Sequence, residues 1–252
     1  MRFYLGTHQT EWTTRVPGPW FLSAPRLRVR PVRAPVLGGW ALDSGGFSEL
    51  SLRGRWTIPP EQYATEAVAW ARVMGAPDWI APQDWMCEPA IREATGLSVA
   101  CHQHRTIASV VELRALLLGT GIHVAPVLQG WLLPDYLRHV ELYAAAGIDL
   151  RQEPIVGVGT VCRRQDSTAG VEILRAVTRT GIRAHRFGVK LDGLRQGATF
   201  LTSADSMAWS YAGRRRPDPT CSKGSCANCL HYALAWRDTL TAIQPPTQMM
   251  LL

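Results

Sequence analysis

Residues 123–159 read HVAPVLQGWLLPDYLRHVELYAAAGIDLRQEPIVGVG, and the fold turns on how they are parsed. Two short apolar runs, His123–Gln129 and Ile155–Gly159, flank Tyr136–Ala146, whose apolar residues return at helical spacing before a stop at Gly147. A buried strand, a helix and a second buried strand within about 35 residues form a βαβ unit, whose strands are parallel. Outward from this unit the alternation recurs. Apolar runs at Arg2–Thr7, Trp20–Ser23, Trp40–Asp43, Trp79–Pro82, Arg183–Lys190 and Thr199–Ser203 complete a set of eight candidate strands. Helical patterns occupy Pro60–Met74, behind the Pro59-Pro60 start signal, then Ile107–Leu118 before Gly119 and Val171–Thr180 before Gly181. Most of the runs are too apolar for the edge of an open sheet. The pattern therefore predicts an α/β fold, a (β/α)8 TIM barrel formed by residues 1–252 as a single domain. Proline-broken Arg26–Gly39 is expected to hold no helix.

Composition narrows the classes. Of 252 residues, 46% are apolar, too many for a disordered chain. The most apolar region, Leu113–Pro134, is interrupted by Arg114, His123 and Gln129, so no stretch spans a membrane. The opening MRFYLGTHQTEW has no apolar core of a secretory signal, and the reading is a soluble, cytoplasmic protein. There is no internal repeat and no low-complexity linker. The net charge of +7 rests on 25 arginines, since only Lys190 and Lys223 are lysine. Such a balance favours an acidic partner such as nucleic acid. A GC-rich genome would also raise arginine over lysine, so charge alone does not decide.

In parallel barrels the chemistry sits on the loops after the strands. Thr7-His8, Asp43-Ser44-Gly45-Gly46-Phe47, Gln83-Asp84, Gln129-Gly130, Gly157-Val158-Gly159, Lys190 and Asp205 fall there. Each has an ordinary reading. Asp43 suits a turn, Asp84 and Asp205 suit caps, and the glycines suit close packing. Together they set three carboxylates and a carboxamide on one rim, a combination for acid–base and nucleophilic chemistry.

DSGGF at 43–47, APQDW at 81–85, VLQG at 127–130, VGVG at 156–159 and SADS at 203–206 resemble, in this order, the landmarks of the tRNA-guanine transglycosylases. HQHRT at 102–106, GVGTVCRRQ at 157–165, FGVK at 187–190 and SADSMAWS at 203–210 are more similar to their DNA-acting relatives, the 7-deazaguanine DNA transglycosylases of phages and bacterial modification systems. The resemblance runs over nearly the whole chain. It implies a barrel that exchanges guanine for a 7-deazaguanine, preQ0-like base without cutting the backbone. Asp205 would attack the sugar C1′ and Asp43 would be the general acid/base. Ser44, Gly45, Asp84, Gln129, Gly130, Gly157 and Gly159 would hold the base. A carboxylate at Asp84 accepts from guanine N1–H and the 2-amino group together, while a Gln129 N–H and a glycine N–H can donate to O6. Phe47, Trp85 or Met207 would stack on it.

Cys221-x4-Cys226-x2-Cys229-x-His231 is a compact set of three sulfurs and an imidazole, the pattern of a structural zinc in a small C-terminal subdomain at 221–231. In the tRNA enzymes the spacing differs, which leaves His185 or an earlier residue as a substitute for His231. Cys87, Cys101 and Cys162 read as packing residues. Arg26, Arg28, Arg30 and Arg33 would form a stripe along an extended segment. With Arg163-Arg164 and Arg214-Arg215-Arg216, they are candidates for phosphate contacts.

The reading is a DNA-guanine transglycosylase with one structural Zn2+, acting on duplex DNA with the guanine flipped out and on a free 7-deazaguanine base. The compartment is the cytoplasm, or the host's if the protein is phage-encoded. Helper proteins and an oligomer stay open. A tRNA-acting transglycosylase, a non-catalytic nucleic-acid-binding barrel subunit and a glycoside or nucleoside hydrolase are the alternatives.

Overall fold

The computed structural model describes residues 1–160, 168–190, 198–222 and 224–242. Eight strands form one sheet: β1 (Arg2–Gly6), β2 (Trp20–Ser23), β3 (Trp40–Asp43), β4 (Trp79–Ile80), β5 (Val127–Leu128), β6 (Val156–Val158), β7 (Ala184–Arg186) and β8 (Ser203–Ser206). Their order is β4-β3-β2-β1-β8-β7-β6-β5, and every pairing is parallel. The sheet curls until its two ends meet at an isolated parallel bridge, Ile80 to Val124. There Ile80 N donates to His123 O at 2.9 Å and Ala125 N to Ile80 O at 3.0 Å.

Parallel strands need helical crossovers, and the chain supplies them. The helices are α1 (Ala24–Val29), α2 (Gly46–Arg53), α3 (Pro60–Met74), α4 (Pro89–Thr95), α5 (Val99–Leu116), α6 (Leu133–Ala145), α7 (Thr168–Arg179), α8 (Ala208–Arg215) and α9 (Leu230–Thr241). Among the described residues no helix is long and apolar enough to cross a membrane. Strand alternation sorts two cores. Trp20, Leu22, Trp40, Leu42 and Ala204 pack outward with the helices. Tyr4, Phe21, Ala41, Trp79, Ala81, Ala125 and Ile155 fill the concave face, with Phe187 against them.

Several expectations are corrected. The last strand is Ser203–Ser206, not Thr199–Ser203, because backbone pairing with β1 (Arg2 to Ser203 through Leu5 to Ser206) sets its register. Ala198–Phe200 is instead a 3-10 turn, and Asp205 lies within a strand rather than at a helix cap. Residues 24–29 are helical, with Pro25 in the first turn, where its missing N–H forfeits nothing. At helical spacing Arg26 and Arg28 do not share a side, and Arg28 pairs with Glu66 at 2.7 Å, so the extended arginine stripe does not form. Helix α5 begins eight residues earlier than the pattern indicated, capped by Ser98 Oγ accepting from Cys101 N, which leaves Cys101 exposed rather than packed.

Candidate active site

At the C-terminal ends of the strands lies a cavity of about 310 Å³. Asp43, Phe47, Asp84, Glu88, Gln129, Thr160, Phe187 and Asp205 are among the residues that line it. Parallel pairing explains the convergence: Asp43 closes β3, Asp84 follows β4, Gln129 follows β5, Gly159 follows β6 and Asp205 sits in β8. Five residues singled out in the sequence for catalysis or base binding, Asp43, Asp84, Gln129, Gly159 and Asp205, thus share one cavity. Phe47 joins them, whereas Met207 is exposed and Trp85 lines a neighbouring groove beneath the Arg105 guanidinium.

The other candidates stand behind the wall. Gly45, at φ +88°, opens α2 and donates its N–H to Asp43 Oδ1 at 3.2 Å. Its missing side chain admits Pro25 of α1, so a Cβ there would collide. Ser44 Oγ is buried and meets no hydrogen-bond partner among the described residues. Gly130 backs onto Asp135 and Tyr136, and Gly157 onto Phe187 and Val127. The Gly157 and Gly159 N–H groups are committed to Pro126 O at 2.8 Å and Leu128 O at 2.9 Å, so neither is left to donate to a base.

Asp205 Oδ1 accepts from Gly188 N at 2.9 Å and lies 3.3 Å from His185 Nε2. His185 is fully buried, with Nδ1 2.8 Å from Ser203 Oγ and its ring edge-on to Trp79 and Phe187. This engages Oδ1 and leaves Oδ2 as the oxygen available to a substrate. Gln129 is clamped by its backbone: its N–H donates to His139 Nδ1 at 2.9 Å and its carbonyl accepts from Gln103 Nε2 at 2.8 Å. Burial pushes His139 down to about 3, which keeps its ring neutral and able to accept.

Burial also governs the carboxyls. It raises Asp43 to about 6, opposed by the Gly45 N–H and helped by the charge of Asp205. Burial, then the charge of Asp43, raises Asp84 to about 7 against the hydrogen bond from Gln129. Both groups hold a proton more tightly in the folded chain than in the unfolded one. Their contribution therefore favours the fold at low pH and is lost as pH rises from about 4 through about 7. Asp84→Asn, which can still accept from Gln129 Nε2, is expected to stabilise the protein at pH 8 by on the order of 3 kcal/mol. The gain should shrink to nothing near pH 4, as denaturant melts across the range would record.

Sequence reasoning missed Glu88 and Thr160. Glu88 is 6% exposed. Thr160 is a β-branched residue at φ +57°, a strained conformation that gathers at functional sites. Its hydroxyl accepts from Cys87 N at 3.0 Å and stands 2.6 Å from Gln129 Oε1 and 3.3 Å from Glu88 Oε2. Thr160 lay inside the GVGTVCRRQ motif at 157–165, but nothing in that motif marked it as a lining residue.

Of the arginines, Arg214, Arg215 and Arg216 are exposed at the C-terminal end of α8, which carries them about 12 Å from Met207, with Arg215 over the Tyr211 ring. Arg163, Arg164 and Cys162 lie outside the described residues. Cys87 is buried beside Thr160.

Cys221, Cys226 and Cys229 bring their sulfurs within 4.8 Å of one another. The Cys221–Cys229 separation of 3.5 Å is far beyond a disulfide bond and close to the ~3.8 Å between thiolates on one tetrahedral zinc. The donors fit a structural metal. His231 is not in this group; it opens α9, its Nε2 3.8 Å from Asp218 Oδ2. His185 is equally remote in role, held under Asp205. The cysteine loop runs back along α8, where Cys226 N donates to Gly213 O and Ser210 Oγ to Ala227 O. It ends where the Asn228 side chain meets His8 and Gln9, just past β1. Metal analysis is expected to find about one zinc per chain. Cys226→Ser should lose the metal and lower the melting temperature; an equally stable, zinc-free protein would refute the assignment.

Parallel strands that gather four acidic side chains around one pocket define an α/β protein equipped for acid–base and nucleophilic chemistry. Over residues 1–250 the chain matches the family described as DpdA, DeoxyPurine in DNA protein A, and it belongs to that family. Membership supports a DNA-guanine transglycosylase-like role in DNA modification. No curated protein gave a significant match. Among solved structures, the YdjI aldolase from Escherichia coli K12 is similar at a TM-score of 0.41 and 11% identity, over 95% of this chain and 86% of that one. That likeness is too distant to bear on the chemistry.

Proposed function

We propose that the protein exchanges guanine in duplex DNA for a free 7-deazaguanine base through a covalent Asp205–sugar intermediate. The observation that carries this reading is the presence of Asp43 and Asp205 on one cavity wall, with the Asp84–Gln129 pair beside them. Asp205 Oδ2 attacks C1′ while the bond to guanine N9 breaks, and Asp43 gives its proton to the departing base. The incoming base then loses its N9 proton to Asp43, its N9 attacks C1′, and Asp205 is released. A group near 6 serves both steps, since it is readily protonated and readily ionised around neutral pH. Two displacements retain the configuration, as in retaining glycosidases.

Asp84 receives the N1–H and 2-amino edge. The second N–H of Gln129 Nε2 is the donor for O6, the Gly157 and Gly159 N–H groups being committed to strand pairing. The sheet acts as a closed (β/α)8 barrel through the Ile80–Val124 bridge, and zinc on the three cysteines steadies the rim through Asn228.

Incubation with duplex DNA or tRNA and a free 7-deazaguanine, followed by digestion to nucleosides and mass spectrometry, tests the reading. The expected product is the deazaguanine nucleoside in DNA. Incorporation only into tRNA overturns the choice of nucleic acid. Free guanine without incorporation would make the protein a hydrolase, and binding without either product would make it a non-catalytic subunit.

A further inference from the structure

We infer that α8 is the helix that docks on duplex DNA, with Met207 as the wedge that enters the base stack where a guanine leaves it and Arg214, Arg215 and Arg216 as its phosphate contacts. This rests on the base-exchange reading above. A cavity that takes a base from a duplex must receive it extruded, and the vacated step has to be filled. Met207 stands where such a filler is needed. Asp205 faces the cavity, Ser206 turns away and donates to Val189 O, and alternation brings residue 207 back to the cavity side, about 7 Å further along the strand direction. The neighbouring strand agrees. Gly6 follows inward-facing Tyr4 by two residues, and a Cβ on it would come within 3.0 Å of the Met207 Cβ. The thioether arm therefore starts above the proposed nucleophile, and Met207 is 46% exposed. Phe47, also at the rim, lines the cavity and would meet the extruded base instead.

The helix behind Met207 suits the same partner. Its buried side carries Trp209, Ser210 and Gly213, fastened to the cysteine loop through Ser210 Oγ to Ala227 O and Cys226 N to Gly213 O. At helical spacing Tyr211, Arg214 and Arg215 fall on the other side, and all three are exposed. The Arg215 guanidinium lies 4.4 Å over the Tyr211 ring. From Ser206 to Pro217 the chain has three arginines and no acidic residue. One side of α8 thus runs from an apolar tip beside the cavity to a cationic end, the order in which a polyanion with an apolar interior would be met.

The test uses Met207→Ala, which keeps the Cβ over Gly6 and removes exposed atoms, and Met207→Leu, which keeps the bulk. Exchange of a free 7-deazaguanine into duplex plasmid DNA should fall about tenfold or more in Met207→Ala. The loss should be smaller on the same plasmid after heat denaturation, where no stack is refilled, and Met207→Leu should restore the duplex rate. A second readout needs no chemistry: 2-aminopurine placed beside the guanines of a duplex brightens when its neighbour leaves the stack. At equal DNA occupancy it should brighten with wild type and Met207→Leu and stay dark with Met207→Ala. Replacing Arg214, Arg215 and Arg216 together by Gln should reduce the slope of log binding constant against log salt by about 2 to 3. An unchanged slope overturns the arginine contacts. Equal losses on duplex and denatured DNA, or exchange into denatured DNA only, overturns the wedge alone. Brightening that depends on Met207 without any exchange overturns base exchange alone, and neither signal overturns both.

Discussion

Asp205→Asn is expected to eliminate the covalent protein–DNA adduct and slow base exchange by on the order of 10³-fold or more, with DNA binding nearly unchanged. An amide oxygen is a feeble nucleophile towards C1′, yet Asn keeps an oxygen for the Gly188 N–H and for His185. The strand and the aromatic cluster beneath it therefore stay in place. Denaturing electrophoresis of the trapped adduct, together with a DNA-binding isotherm, separates the two effects. An undiminished adduct would move the nucleophile elsewhere.

Asp43→Asn should cost about 10²–10⁴-fold in exchange, the usual scale for a positioned proton donor and acceptor. The wild-type pH dependence sharpens this. Asp43 sits near 6 through burial, so its protonated form, needed to release guanine, declines as pH rises through about 6. Its ionised form, needed to take the N9 proton of the incoming base, grows over the same interval. Adduct formation should thus fall and adduct discharge rise across pH 6, with opposite slopes in rapid-quench measurements. Asp43→Asn should flatten both limbs. Identical limbs in the variant would remove Asp43 from proton transfer.

What the sequence revealed has a physical boundary. Pro60–Met74 was legible to the residue because Pro59-Pro60 marks its start and its apolar residues recur at helical spacing, both local signals. The β2 and β3 strands were equally plain as apolar runs. Asp43, Asp84, Gln129, Gly159 and Asp205 could be grouped in advance because parallel strands place all their C-terminal ends together. The β8 strand was misplaced because SADS is polar and its register is set by β1, some two hundred residues away. Helix α1 was hidden because Pro25 would break a helix interior but suits its first turn, while Pro31 and Pro35 lie beyond its end. Glu88 and Thr160 come from irregular loops with no periodicity, and a β-branched residue at positive φ leaves no local mark. In the cysteine motif, spacing showed which sulfurs gather but not which way the first turn of α9 would aim His231.

The charge of the cavity lining has one more consequence. Asp43, Asp84, Glu88 and Asp205 line it, and no lysine or arginine is among the described lining residues. If the proposed base exchange holds, such a lining would receive an uncharged base and repel a phosphate, so a free guanine nucleotide is expected to compete poorly with a free deazaguanine for the site.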